Sequence, residues 1–379
     1  MGIPTTHYHF VMKTRTITFI VTKDCQLLCK YCYLVGKNSN ERMSLSIAKQ
    51  AVDRILSIED KFLEEKVVWD FIGGEPLLEI ELIEKIIGYI EYKLQELKHH
   101  WLNNSSIRIT TNGLLYCSEK VQRFISKYHD ILDISISIDG NKTKQDLNRI
   151  FPNGKGSYDL VLKGVRKWVM QFENVATKMV ISSEDLPYVY ESGVHLLELG
   201  VSRLDMNLVV EDVWRDGDDK ILEEQLVRFA DYVIEHNLHQ DRKLFIFEEC
   251  IGKPFNPSFE SSPCGSMMLS VDSSGSFYTC LRFAGYSLRS KKPRFIGNIK
   301  DGINYNLLRP YCILDELSQS PYKCLKCDVA TGCRWCPAEN YDSSLTSTVF
   351  ERSTAICKMH KARVRAKNYY WYKLNRNRN

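Results

Sequence analysis

The sequence predicts an α/β protein built on a parallel sheet, extended at its C-terminal end by a smaller, cysteine-rich domain. Three observations predict it. Strand and helix patterns alternate through about the first 240 residues. That rhythm stops near Cys250, and residues 254–357 become rich in Gly, Pro, Ser and Cys. The 13 cysteines are bunched rather than scattered.

The elements follow in order. Residues 16–22, Thr-Ile-Thr-Phe-Ile-Val-Thr, are β-branched and read as a first strand. An amphipathic helix is expected over 46–56, then a strand over 67–72 and a long helix over 81–97. Strands at 107–110 and 132–138 flank a helix at 118–127. Helix 158–169, strand 178–182, helix 186–199 and strand 203–209 continue the alternation. Six strands, each followed by a helical segment, argue for a parallel sheet. Periodicity leaves open whether that sheet curls into a partial barrel or stays doubly wound. The segment after 254 has few long apolar runs, so metal or clusters are expected to hold it together. The expected boundaries are 1–240, 241–360, and a C-terminal helix with a basic tail at 361–379.

Composition narrows the function classes. Apolar residues make up 44% of the chain and the net charge is +4. So mild a charge calls for neither a nucleic-acid nor a membrane partner. No secretory signal and no apolar run of bilayer length is present in the sequence. Without a secretion signal, closely spaced cysteines point to metal or clusters rather than disulfides, and a reducing cytoplasm is the expected compartment.

The first cysteine set is Cys25-Gln-Leu-Leu-Cys29-Lys-Tyr31-Cys32, directly after the first strand. Three thiolates in one loop can ligate three irons of a [4Fe–4S] cube, which leaves one iron open to a cosubstrate. Zinc would want a fourth ligand, and no His lies nearby in sequence. Further motifs sit at strand ends: Gly73-Gly74-Glu75-Pro76, Thr111-Asn112-Gly113, and Ser137-Ile-Asp139-Gly140, with Arg149 beyond. Ligand sites of parallel β/α folds gather at that edge.

On these residues the chain resembles the radical S-adenosylmethionine (SAM) superfamily. The resemblance covers most of the first 240 residues and implies a partial (β/α)6 barrel. It implies that Cys25, Cys29 and Cys32 hold a [4Fe–4S] cluster whose open iron chelates SAM, and that electron transfer into SAM releases a 5′-deoxyadenosyl radical. Tyr31, Gly73, Gly74, Glu75, Pro76, Asn112, Ser137, Asp139 and Arg149 are the implied SAM contacts.

The second cysteine set is Cys264, Cys280, Cys324, Cys327, Cys333, Cys336 and Cys357. It resembles the SPASM domain, a C-terminal extension with two auxiliary [4Fe–4S] clusters, which brings the implied total to three. Cys336 departs from the usual spacing, with two residues rather than three separating it from Cys333. By the resemblance, Cys324, Cys327, Cys333 and Cys357 hold the outer cluster. Cys264, Cys280 and Cys336 hold the inner one, with Cys250 as the chosen fourth ligand. Cys312, or no protein ligand, are the alternatives. Cys117 is expected to be a plain buried thiol. His7, His9 and the His99–His100 pair carry no metal spacing and are expected at the surface.

SPASM enzymes mostly act on peptides or proteins. The anaerobic sulfatase-maturing branch carries an Asp as substrate base directly after the equivalent of Cys280, where this chain has Leu281. The stretches 25–38, 333–341 and 357–366 look most like peptide maturases of the CXXX-repeat target group. That resemblance implies a thioether or carbon–carbon crosslink in a ribosomally made, Cys-containing precursor peptide, with the electron from bond closure passing to an auxiliary cluster. A low-potential donor such as flavodoxin or ferredoxin is implied. Only about 15 residues precede the first barrel strand. The expectation is therefore that a peptide leader binds elsewhere, through a separate leader-binding protein, or is absent. The tail from Lys358 holds eight Lys or Arg and no acid, with Tyr369, Tyr370, Trp371 and Tyr372 among them. It is expected to pack its aromatics on the barrel.

Overall fold

Strand β1, Thr14–Thr22, is β-branched along its length, and its last six residues are buried. Burial on both faces is what a central strand of a parallel sheet requires. The computed structural model describes residues 14–58, 64–211, 213–255, 263–289, 291–343 and 345–376. His7 and His9 lie outside the described residues. Helix α1, Leu45–Leu56, follows, its N-terminus capped by the Ser44 hydroxyl, which accepts the Ile47 N–H at 3.1 Å.

The alternation continues as β2 (Lys66–Gly73), α2 (Ile80–Glu96), β3 (Ser105–Thr111), α3 (Glu119–Tyr128) and β4 (Leu132–Ile136). Next come α4 (Lys142–Asn148), α5 (Tyr158–Gln171), β5 (Ala176–Ile181), α6 (Val189–Glu198), β6 (Arg203–Leu208), α7 (Asp218–Glu235) and β7 (Lys243–Leu244). Strands β1 to β4 pair in parallel, and so do β5 to β7. The two ladders are separate sheets, joined across their gap by side chains. The Thr177 hydroxyl donates to the Ile136 carbonyl at 2.7 Å, and the Val180 N–H donates to the Asp139 carboxylate at 3.1 Å. The six expected strands therefore form a curled, incomplete barrel.

The C-terminal region departs from expectation. After α8 (Pro263–Ser266), strand β8 (Met268–Val271) runs parallel beside β1, with Thr16 opposite Met268 and Phe19 opposite Val271. Strands β9 (Ser276–Tyr278), β10 (Phe295–Asn298) and β11 (Gly302–Ile303) add antiparallel. The result is one eight-stranded sheet running β11-β10-β9-β8-β1-β2-β3-β4. Leu269, Val271, Phe277, Phe283 and Ile296 join the barrel's own apolar core. These strands are too short to show a period, yet they bury apolar side chains by extending the edge of β1.

Beyond them the chain is looser. Helices α9 (Tyr305–Cys312), α10 (Glu316–Gln319), α11 (Tyr322–Leu325) and α12 (Pro337–Asp342) are short. Helix α13, Cys357–Arg376, closes the fold against α7 and the turn at Phe245–Phe247. The Tyr370 ring stacks on Phe247 at 4.6 Å, and the Trp371 indole N–H donates to the Phe247 carbonyl at 2.8 Å. The tail's basic residues meet acids of α7, with Arg365 on Glu223 at 2.6 Å and Lys373 on Asp231 at 2.5 Å. Among the described residues no helix is long and apolar enough to cross a membrane.

Candidate active site

The loop after β1 carries Cys25, Cys29 and Cys32. It is tethered to the end of α4 and the chain just after it, with the Leu28 N–H on the Ile150 carbonyl at 2.7 Å and the Lys30 N–H on the Asn148 carbonyl at 3.0 Å. On the other side it lies against Gly73 and Gly74. A Cβ on Gly73 would sit 2.4 Å from the Thr22 carbonyl oxygen, and one on Gly74 would sit 2.2 Å from that of Asp24. The two glycines are what let the end of β2 pass this close to the cysteine loop. The N–H groups of Gly74 and Glu75 then donate to those same two carbonyls, at 2.9 and 2.8 Å.

All three thiols face one cavity of about 360 Å³. Tyr31, Gly73, Gly74, Glu75, Asn112, Ser137 and Arg149 line it as well. Pro76 and Asp139 do not. Pro76 is buried at the start of a short 3-10 turn. Asp139 is fully buried behind Arg149, accepts its Nε–H at 3.0 Å, and also accepts the Tyr31 hydroxyl. Its place is to aim these two side chains.

Glu75 is the electrostatic centre of this wall. Its carboxylate is buried and accepts the Thr111 hydroxyl at 2.6 Å, the Asn112 N–H at 2.7 Å and the Leu77 N–H at 3.1 Å. Burial still outweighs these donors and pushes its pKa up to about 7. A cation placed beside it would restore the charge. Burial also pushes the Cys29 thiol up to about 11, against the pull of Arg149. A thiol so raised becomes a thiolate only when a metal takes the proton's place.

The second cysteine set falls into two groups. Cys324, Cys327, Cys333 and Cys357 line one small cavity of about 90 Å³. Arg352 is buried beside them and knits their loop by donating to the Cys333 carbonyl at 2.7 Å and to Glu316 at 2.6 Å. Cys357 begins α13. Cys264 and Cys280 are buried together. The hydrogen bond with Cys264, and then burial, hold the Cys280 thiol well above its usual range. Burial, then the nearby Glu339 carboxylate and Cys264, push Cys336 up to about 12. Among the described residues no three His, Cys, Asp or Glu side chains draw together tightly enough for a single metal ion. Four thiols spread round a cavity fit a polynuclear group.

Cys250 makes local contacts. Its thiol lies 3.8 Å from the Glu248 carboxylate and its carbonyl accepts the Thr331 hydroxyl at 2.8 Å. Cys312 lies at the C-terminal end of α9, its thiol 3.3 Å from the Gly265 carbonyl. Cys117 corrects the expectation of a buried thiol: it is exposed. Tyr116 turns fully into the core, which leaves the next residue pointing out of the turn before α3. His100 is exposed and His99 half-buried, with the two rings stacked at 4.4 Å.

Sequence reasoning missed the cavity's far wall. A second cavity of about 450 Å³ adjoins the first and reaches Cys336. The two share Val210, Glu211, Arg282, Arg334 and Glu339. Arg282 lies over the Tyr33 ring at 4.5 Å and 3.7 Å from Glu211, while Arg334 grips Glu339 through two nitrogens. The one available signal was Arg282 standing two residues after Cys280.

Residues 19–184 match the Radical SAM superfamily. That stretch of the chain matches a radical SAM domain, a family that implies SAM and a [4Fe–4S] cluster. An uncharacterised protein of Methanocaldococcus jannaschii is 33% identical over 191 residues, 50% of this chain and 60% of that one. The chain thus spans less than two thirds of that relative's length. Among solved structures, anSMEcpe with bound AdoMet superposes with a TM-score of 0.71 at 18% identity, covering 95% of this chain and 98% of the other. The Streptococcus suis protein SuiB, bound to its precursor peptide SuiA, superposes at 0.58 and 14% identity, covering 91% and 76%. At these identities the likeness is one of fold.

Proposed function

We propose that this chain is a radical SAM peptide maturase with a SPASM-type C-terminal domain, installing a thioether or carbon–carbon crosslink in a ribosomally made, Cys-containing precursor peptide. The observation that carries the reading is the continuous space between the two cysteine sets. The cavity at Cys25, Cys29 and Cys32 joins the one that reaches Cys336. A peptide lying there has the first set on one side and the second on the other. When bound, SAM and the first cluster supply a 5′-deoxyadenosyl radical that takes a hydrogen atom from carbon. For a thioether, the C–H hydrogen atom would pass to 5′-deoxyadenosine, the S–H proton to water and the remaining electron to an auxiliary cluster, so that one S–C bond forms in a net two-electron oxidation with the mass of two hydrogen atoms lost. Flavodoxin or ferredoxin serves as reductant in this reading, and leader capture falls to another surface or a separate protein.

Formylglycine formation is the second reading. It is favoured by the fold likeness and by Glu211 and Glu339, which stand in the cavity although position 281 is leucine. Anaerobic incubation with SAM, a reductant and two peptides separates the readings. A small Cys-rich peptide encoded beside this protein should lose two hydrogen atoms per modification, and fragmentation should locate the bond. If that peptide stays unchanged while a Cys-type sulfatase peptide loses its sulfur as hydrogen sulfide and gains an aldehyde oxygen, the crosslinking reading fails.

A further inference from the structure

The inner group of cysteines has three members, Cys264, Cys280 and Cys336, and a cube has four corners. Two other thiols compete for the fourth. The Cys250 thiol is engaged by the Glu248 carboxylate at 3.8 Å. Its charge is felt by Arg363 and Lys367 on α13, and Arg363 also feels Cys333 of the outer group. Cys312 lies against the residue that follows Cys264. The turn at Gly265, the residue after Cys264, is pressed against the end of α9. A Cβ there would fall 2.4 Å from the Tyr311 carbonyl and 2.5 Å from the Cys312 nitrogen. Only a bare backbone lets residue 312 come so close. The Cys312 thiol then donates to the Gly265 carbonyl at 3.3 Å.

Tyr311 fixes that approach. Its buried ring meets Phe283 edge-on at 5.1 Å, and its hydroxyl accepts from the Arg294 guanidinium at 2.7 Å. The Phe283 N–H in turn donates to the Cys280 carbonyl at 3.1 Å. The phenol lies near enough to Cys280 and Cys264 to feel their charge. One packed unit therefore ties residue 312 to two of the three inner cysteines.

We propose that Cys312 supplies the fourth thiolate of the inner group. This rests on the reading that the inner group holds a [4Fe–4S] cluster. Ligation trades the Cys312 S–H bond for an S–Fe bond and releases the proton to water, and no electron moves. Cys264 and Cys280 are buried, whereas Cys312 is exposed, so it is the ligand that an incoming thiolate can displace.

The test uses the full chain with Cys25, Cys29 and Cys32 all replaced by Ala, so that only the auxiliary clusters remain. Anaerobic reconstitution should give about eight irons per chain, from two cubes. Iron near four would sink the inner cluster itself, and the proposal with it. Given eight, electron paramagnetic resonance of the reduced protein compares Cys312→Ala, Cys312→Ser and Cys250→Ala. The expected result is a changed or lost inner-cluster signal in both Cys312 variants, with the outer signal kept, and a further change when 2-mercaptoethanol is added. Cys250→Ala should superpose on its parent. Cys312 variants that superpose on the parent at full iron, or the change appearing in Cys250→Ala instead, would overturn the proposal. Cys312→Ser keeps the side chain's size and its bond to Gly265, which separates lost ligation from lost packing.

Discussion

Glu75 holds a pKa near 7 because burial outweighs three hydrogen-bond donors. The unperturbed carboxyl titrates at 4.5. The native state therefore binds the proton more tightly than the unfolded chain, and stability from this group falls as pH rises from the lower value through the upper one. A bound ammonium reverses the preference. SAM affinity should increase as pH rises through about 7, with a proton released on binding; calorimetry in buffers of differing ionisation enthalpy reads both. Glu75→Gln should abolish the pH dependence and weaken SAM binding. An unchanged pH profile in that variant would remove Glu75 from the site. The motif residues were legible because each follows a strand in one short run. Arg282, Arg334, Glu211 and Glu339 were not: they come from separate segments, and no local pattern says that they share a wall. Asp139 was legible as important, but not as the support behind Arg149, since sequence does not say which of two charged neighbours faces a cavity.

At the scale of elements, the six strands and their helices were readable because a parallel strand buried on both faces is a long apolar run. Strands β8 to β11 were not, being two to four residues long. The expectation that the whole C-terminal region lacks a core therefore applies to only part of it. Residues 268–303 share the barrel's core, whereas residues 313–356 bury few apolar side chains, chiefly Leu314, Ala330, Ala338, Val349 and Ile356. Cluster loss should accordingly act locally. Cys324→Ala and Cys357→Ala should each cost about four irons. Both should also speed amide exchange across 313–356 while β8 and β9 stay protected. Uniform protection in both variants would mean that the outer group carries no structural duty.

For the whole molecule, the two cysteine sets predict about twelve irons per chain. Replacing Cys25, Cys29 and Cys32 together with Ala should end reductive SAM cleavage to 5′-deoxyadenosine and leave the auxiliary clusters in place. Deoxyadenosine formation that survives the change would refute the assignment of the first set. The first set and two members of the second, Cys264 and Cys280, flank strands of one sheet, since β8 pairs directly with β1. That pairing bears on how this chain can be divided. A fragment stopping at residue 240, where the sequence suggests a boundary, would strip β8 from Thr16–Phe19 and leave a buried, apolar central strand as a bare edge. Bare edges of that kind recruit other chains. The isolated barrel should sediment as aggregates, whereas a version that keeps β8 to β11 and α13 and lacks only the loops between them should stay monodisperse. We infer from this pairing that the seam lies beyond the last strand, where the cysteine-laced loops leave the packed core.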